Sequence, residues 1–295
     1  MSMLNVARIL IGTFLLTVLF QASWAAEIVI VDAKSQPESL TVTSGGDIIV
    51  GSASTPFVYK VRAGSFTAEK FIDSSAEGAG TFFFGMLADD SHQTLWTCQL
   101  TPVPKSNPIQ RQSALRGFDL VTGAQKIRWD LPGANTTCND FAIGPDKALY
   151  ITDTANGKIY KLPEGANAAE LFLEHRALLG IDGITFLKGI LYINTVTTNN
   201  LYRIPIDAQG KAGVPIDIWM DQPIKSPDGM RAANGKLIVS ENGSGKISVI
   251  TVNEDKATVQ VIKEGLKTPT AVEPAGKLIW IAERGSGKVV SIPMP

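Results

Sequence analysis

Four oxygen-bearing side chains occupy one phase of a repeating pattern. Glu38, Asn139, Asp182 and Asp228 each stand nine or ten residues before a short apolar triplet, at Ile48-Ile-Val, Leu149-Tyr-Ile, Leu191-Tyr-Ile and Leu237-Ile-Val. Two further triplets, Leu95-Trp-Thr and Ile279-Trp-Ile, have Gly85 and Thr270 at that position. Three carboxylates and an amide brought together repel one another and lose hydration, so something must compensate. A hard divalent cation with oxygen ligands does this directly. Calcium suits an irregular carboxylate–amide cage better than magnesium, and another divalent cation is the alternative. Asp and Asn also favour turns for local backbone reasons; the shared phase of all four sets them apart.

The elements that must position these residues follow from the triplets. Six copies recur at intervals of 42 to 54 residues, and two Gly-Ser-Gly-Lys segments, ending at Lys246 and Lys288, lie 42 residues apart. Nothing sustains the 3.6-residue period of a long helix. Periods near 40–50 residues, each with about four short strands, mark propeller blades. The chain is therefore expected to be all-β, a six-bladed β-propeller. The sixth copy ends with Lys288–Ile292 and is incomplete, and Glu27–Val31 is an orphan strand that would complete it. Closing the ring with strands from both termini removes exposed edges. The innermost strand of each blade begins at one rim of the central channel, so the shared phase directs the four side chains at the axis. The proline-rich stretch Thr101–Pro108 reads as a loop inserted in blade 2.

Ser226-Pro-Asp-Gly-Met230, followed by Asn234-Gly-Lys-Leu-Ile-Val, resembles the corresponding blade of the senescence-marker/gluconolactonase (regucalcin-like) family of calcium-dependent six-bladed propeller hydrolases. Cys138-Asn-Asp-Phe141, Gly180-Ile-Asp-Gly-Ile-Thr-Phe186 and Pro37-Glu-Ser39 resemble its other metal-bearing segments, and the likeness runs through the chain in blade order. The resemblance implies that Glu38, Asn139, Asp182 and Asp228 hold one catalytic calcium. It also implies hydrolysis of a small-molecule lactone or related ester, with Asp182 or Asp228 activating water or passing a proton. The family usually presents an amide where this chain has Asp182, which makes the cage more acidic. Two other readings stand beside it: a non-catalytic propeller binding a peptide, glycan or protein partner through its rim, and condensation chemistry like that of strictosidine synthase.

The remaining features bound the problem. The formal net charge of the 295 residues is −1, with basic residues scattered, which argues against nucleic acid and anionic membrane surfaces as partners. A monomer is expected. Residues 1–25 read as a signal peptide, with Arg8, the apolar run Ile9–Phe20 and the small residues Ser23 and Ala25 at the cleavage point. Residues 26–295 would then form one domain in the periplasm or outside the cell, with no membrane segment after cleavage. In an oxidising compartment two cysteines favour a disulfide, and Cys98 and Cys138 map to the rim side of neighbouring blades; two buried thiols are the alternative. The Gly-Ser-Gly-Lys segments read as hairpin turns, since neither continues with Ser or Thr or precedes a helix. His92 falls on the face opposite the site, and His175 reads as a surface residue near the rim. Asp153 and Glu241 are possible general bases, or members of a solvated rim with Glu283 and Arg284. Asn135 and Asn242 begin glycosylation sequons.

Overall fold

The apolar triplets are continuous, not alternating, because both of their faces are covered. In Ile48-Ile-Val, Ile48 and Val50 pack toward the last blade, while Ile49 packs toward blade 2. In blade 5, Leu237 and Val239 face blade 4, while Ile238 faces blade 6. The same rule holds around the ring, so six apolar clusters form, one at each contact between neighbouring blades. At roughly 25 cal/mol per Å² of apolar surface, these clusters supply the main drive for closing the ring.

A computed structural model describes residues 26–30, 32–106 and 110–295. The signal-peptide reading of residues 1–25 lies outside the described residues, as do Val31 and Pro108. Six sheets, antiparallel but for one added strand in blade 5, form a six-bladed β-propeller. Its inner strands are Pro37–Val42, Phe82–Asp89, Cys138–Ile143, Ile181–Leu187, Pro227–Ala233 and Pro269–Ala275. The triplets lie in the second strands, Ile48–Ser52, Thr94–Pro102, Leu149–Asp153, Ile190–Thr195, Lys236–Glu241 and Leu278–Glu283. Among the described residues, no helix is long and apolar enough to cross a membrane.

The ring closes with strands from both ends of the described chain. Glu27–Val29 pairs antiparallel with Lys288–Pro293, placing Ile28 opposite Val289, and Lys288 Nζ meets Glu27 Oε1 at 2.7 Å. A second overlap protects blade 5, where Trp219–Met220 runs parallel to its outer strand Lys256–Lys263. Both devices cover strand edges that would otherwise pair with other chains.

Blade 2 departs from the expected loop. Thr101 and Pro102 belong to the second strand and pair with Gln112 and Arg111, so the hairpin stands taller than its neighbours. Pro102 is tolerated because it ends the strand. Cys98 and Cys138 form a disulfide with Cα atoms 5.3 Å apart, joining the second strand of blade 2 to the inner strand of blade 3. The bridge spans 40 positions of sequence, for which loop-closure entropy corresponds to about 4 kcal/mol. The Cys98→Ser, Cys138→Ser protein is accordingly expected to lose about 3–4 kcal/mol in urea unfolding followed by fluorescence, with the far-ultraviolet dichroism of the native state unchanged.

Candidate functional site

Each inner strand breaks its ladder near its beginning. The register slips between Pro37 and Leu40, Phe84 and Met86, Cys138 and Phe141, Ile181 and Ile184, Pro227 and Met230, and Pro269 and Ala271. A bulge leaves residues unpaired and re-aims their side chains. Four of the bulges contain Glu38, Asn139, Asp182 and Asp228, whereas the shorter ones contain Gly85 and Thr270. The shared phase seen in the sequence is therefore the phase of the bulge.

The bulges crowd together around the axis. A Cβ on Gly85, whose φ is +42°, would lie 2.1 Å from the Asn139 carbonyl oxygen, and one on Gly183 would lie 2.6 Å from that of Asp228. Polar residues after the apolar triplets tie these backbones together. Thr152 Oγ1 accepts from Asp140 N at 2.9 Å and donates to Asp182 O at 3.2 Å. Asn194 accepts from Gly183 N at 3.0 Å and donates to Asp228 O at 2.7 Å. Each thus connects its own blade's bulge to the next blade.

The four predicted side chains converge on one small axial space. Glu38, Asn139, Asp182 and Asp228 are only 5, 6, 5 and 7% exposed, and all line a void of about 10 Å³, room for one water molecule or one ion. Asn139 Nδ2 donates to Asp182 Oδ2 at 2.9 Å and to Thr154 Oγ1 at 3.0 Å. Asn242 Nδ2 donates to Asp228 Oδ2 at 3.0 Å. Asp182 Oδ1 is fully buried with no hydrogen-bond partner among the described residues.

Burial pushes all three carboxyls up. Glu38 rises well above its usual range, through burial first and then the charges of Asp228 and Asp140, against the pull of Arg284. Asp182 rises likewise through burial, Asp228, Glu38 and Asp140. Asp228 is pushed up to about 7, burial being offset in part by the hydrogen bond from Asn242, by the neighbouring Asp182 carboxyl and by the charge of Arg284. Without another positive charge, burial and mutual repulsion favour the protonated form of each.

Beneath the cage lies an ion-pair group that the sequence reading did not find. Arg231 holds Asp140 through two hydrogen bonds of 2.8 and 3.0 Å and Glu273 at 3.0 Å. Burial opposes the guanidinium charge, but Asp140 and Glu273 more than offset this and raise its pKa. Burial pushes Glu273 up to about 7 despite Arg231. Arg231 and Glu273 each stand three residues past the axial position of adjacent blades, Asp228 and Thr270. Opposite charges at one phase of neighbouring repeats are the signal that could have found them.

Other acidic candidates are consumed by the turns. Asp153 accepts from Thr137 N and Asn156 Nδ2, at 2.9 and 2.8 Å. Glu241 accepts from Lys225 N, Ser244 and Ser248, and Glu283 from Lys267 N and Ser286. All three are buried, so they anchor hairpins and form no solvated rim or free base. His175 Nδ1 accepts from Ala177 N at 3.1 Å, capping a short 3-10 turn. His92 stands between Asp89 and Glu164, at 2.7 and 3.2 Å, away from the axis.

These residues fit a divalent cation in three respects: the donors are oxygens, the space is ion-sized, and one buried carboxylate oxygen lacks a partner. Five carboxyls (Glu38, Asp140, Asp182, Asp228, Glu273) gather there, and among the described residues the guanidinium groups of Arg231 and Arg284 act on them. Among the described residues, no three acidic, histidine or cysteine side chains already stand at ion-holding spacing. Binding would therefore require the side chains around the axial space to shift toward the ion.

No protein-family model and no curated protein sequence matches the chain. Among solved structures, a protein described as a candidate gluconolactonase aligns with a TM-score of 0.68 at 16% identity, over 92% of each chain. Virginiamycin B lyase from Staphylococcus aureus aligns with 0.63 at 15% identity, over 92% of this chain and 99% of its own. A nidogen/laminin complex contributes a third match, 0.62 at 16% identity, over 84 and 89%. At these identities the likeness is one of fold, shared by proteins with different roles.

The raised carboxyl pKa values fix a sign for stability against pH. Between the ordinary carboxylate range and about 7 the folded chain binds more protons than the unfolded one, so stability falls as pH rises through that window. In chelator-treated protein the urea midpoint should be lower at pH 8 than at pH 5, and Asp228→Asn should flatten that decline.

Proposed function

We propose that the chain is an exported, divalent-cation-dependent hydrolase of small lactones or related esters, with calcium as the cation. The observation that carries this reading is the ion-sized axial space bounded by Glu38, Asn139, Asp182 and Asp228, with Asp182 Oδ1 buried and unpartnered. The resemblance of Ser226–Met230 and the companion segments to the gluconolactonase-like family supports it. The candidate gluconolactonase among the structural neighbours supports the scaffold. The disulfide suits an oxidising compartment.

Glu38, Asn139, Asp182 and Asp228 would hold the cation, which when bound supplies polarisation of the substrate carbonyl and stabilisation of the developing oxyanion. The axial space admits an ion and not a lactone ring, so the substrate lies at the mouth with its reacting oxygen toward the cage. Asp228 or Asp182 then activates the attacking water by accepting its proton, or passes a proton to the leaving oxygen. The ion-sized space also favours a second reading, in which the ion is structural and the rim binds a partner.

The test is the metal content of the purified protein, followed by a panel of lactones and aryl esters assayed with and without chelator. Hydrolysis that falls about 100-fold or more in Asp228→Ala, and that chelation removes and calcium restores, is the expected result. Equal behaviour of wild type and Asp228→Ala, with no metal in either, would end the hydrolase reading.

A further inference from the structure

The hairpins after the second strands of blades 5 and 6 are two copies of one turn, Glu241-Asn-Gly-Ser-Gly-Lys246 and Glu283-Arg-Gly-Ser-Gly-Lys288. Their frameworks share the same main bonds. Gly245 N donates to Glu241 O at 2.9 Å, and Gly287 N to Glu283 O at 3.1 Å. Asn242 N donates to Ser226 O at 3.0 Å, and Arg284 N to Thr268 O at 3.1 Å. The serines return to the glutamates at 2.8 and 2.6 Å. The turn thus needs its glutamate, serine and glycines, while the second position contributes only its backbone.

The same holds in other blades. The residue following the second strand is Ala53, Thr154 and Val196 in blades 1, 3 and 4. Its N–H donates to Gln36 O, Thr137 O and Gly180 O, at 2.8, 2.9 and 2.8 Å. In each case the acceptor lies two residues before the axial side chain. The fold therefore leaves the side chain at this position free, and two blades spend it on the cage. Thr154 Oγ1 accepts from Asn139 Nδ2 at 3.0 Å, and Asn242 Nδ2 donates to Asp228 Oδ2 at 3.0 Å.

We propose that Asn242 is a positioning residue of the axial site: its amide holds one oxygen of Asp228, leaving the other for the cation. This rests on the cation reading above. Groups that hydrogen-bond to a ligating carboxylate set its orientation, and their loss typically weakens metal binding about 10–100-fold. The same bond occupies the nitrogen that a glycan would need, so the Asn242-Gly-Ser sequon is not a glycosylation site in the folded chain.

Calcium chloride titrated into the metal-free mature protein, followed by calorimetry, tests this with variants drawn from the other blades. Asn242→Ala carries the residue of blade 1 and Asn242→Thr that of blade 3, so both suit the turn. Asn242→Ala should bind calcium about 10–100-fold more weakly, with the metal-free thermal midpoint within a few degrees of wild type. Asn242→Thr, which keeps a hydroxyl donor, should recover part of the loss. Wild-type affinity in Asn242→Ala, or a loss that Asn242→Thr does not relieve at all, overturns the proposal while leaving the cation reading intact. No heat from the wild type with calcium, magnesium or manganese overturns both.

Discussion

Burying several carboxyls on one axis is the constraint from which the rest of the structure follows. Each loses hydration and feels the others, so each is driven toward its protonated form unless a positive charge intervenes. The chain supplies two guanidinium groups of its own. Arg231 sits below the cage, bound to Asp140 and Glu273, and Arg284 acts on Glu38 and Asp228 from the rim. These leave Asp182 Oδ1 buried and unpaired. A site that costs stability when empty and has space for one ion is arranged for binding, since a cage selected for stability alone would carry apolar or amide side chains.

The propeller makes such crowding possible. Two-sided apolar burial locks each blade to its neighbours, so inner strands approach until only small residues fit between them, as at Gly85 and Gly183. One bulge per blade then turns a side chain into the channel at a fixed height. Thr152 and Asn194 transmit position from blade to blade through paired hydrogen bonds to backbone. The geometry of the cage is thus set by backbone and by second strands, with the hairpin residues Thr154 and Asn242 holding two of its side chains. What varies around the mouth is the first residue of each hairpin, where Ala53, Thr154, Val196, Asn242 and Arg284 differ while the turn frameworks persist.

Much of this was legible in the chain. The blade count was readable because a strand buried on both faces is apolar at consecutive positions, and the axial residues because a bulge has a constant distance from that strand. The disulfide followed from mapping Cys98 and Cys138 onto adjacent blades. Asp140 was not legible, since a bulge sends neighbouring residues in different directions and spacing alone does not say which. Arg231 and Glu273 were missed because they lie deeper in the channel than the shared phase. Glu241 and Asp153 resembled free bases until their oxygens proved committed to turn donors. Asn242 carried a sequon, which concealed its contact with Asp228.

Whether one cation occupies the axis decides how these buried carboxyls are used. Crystals of the purified protein grown with manganese, or with calcium measured at long wavelength, would reveal it by anomalous scattering. One strong peak on the propeller axis, within ligand distance of Glu38, Asn139, Asp182 and Asp228 and absent from Asp228→Ala crystals, is the predicted result. A clear map with no peak there at saturating cation would contradict it.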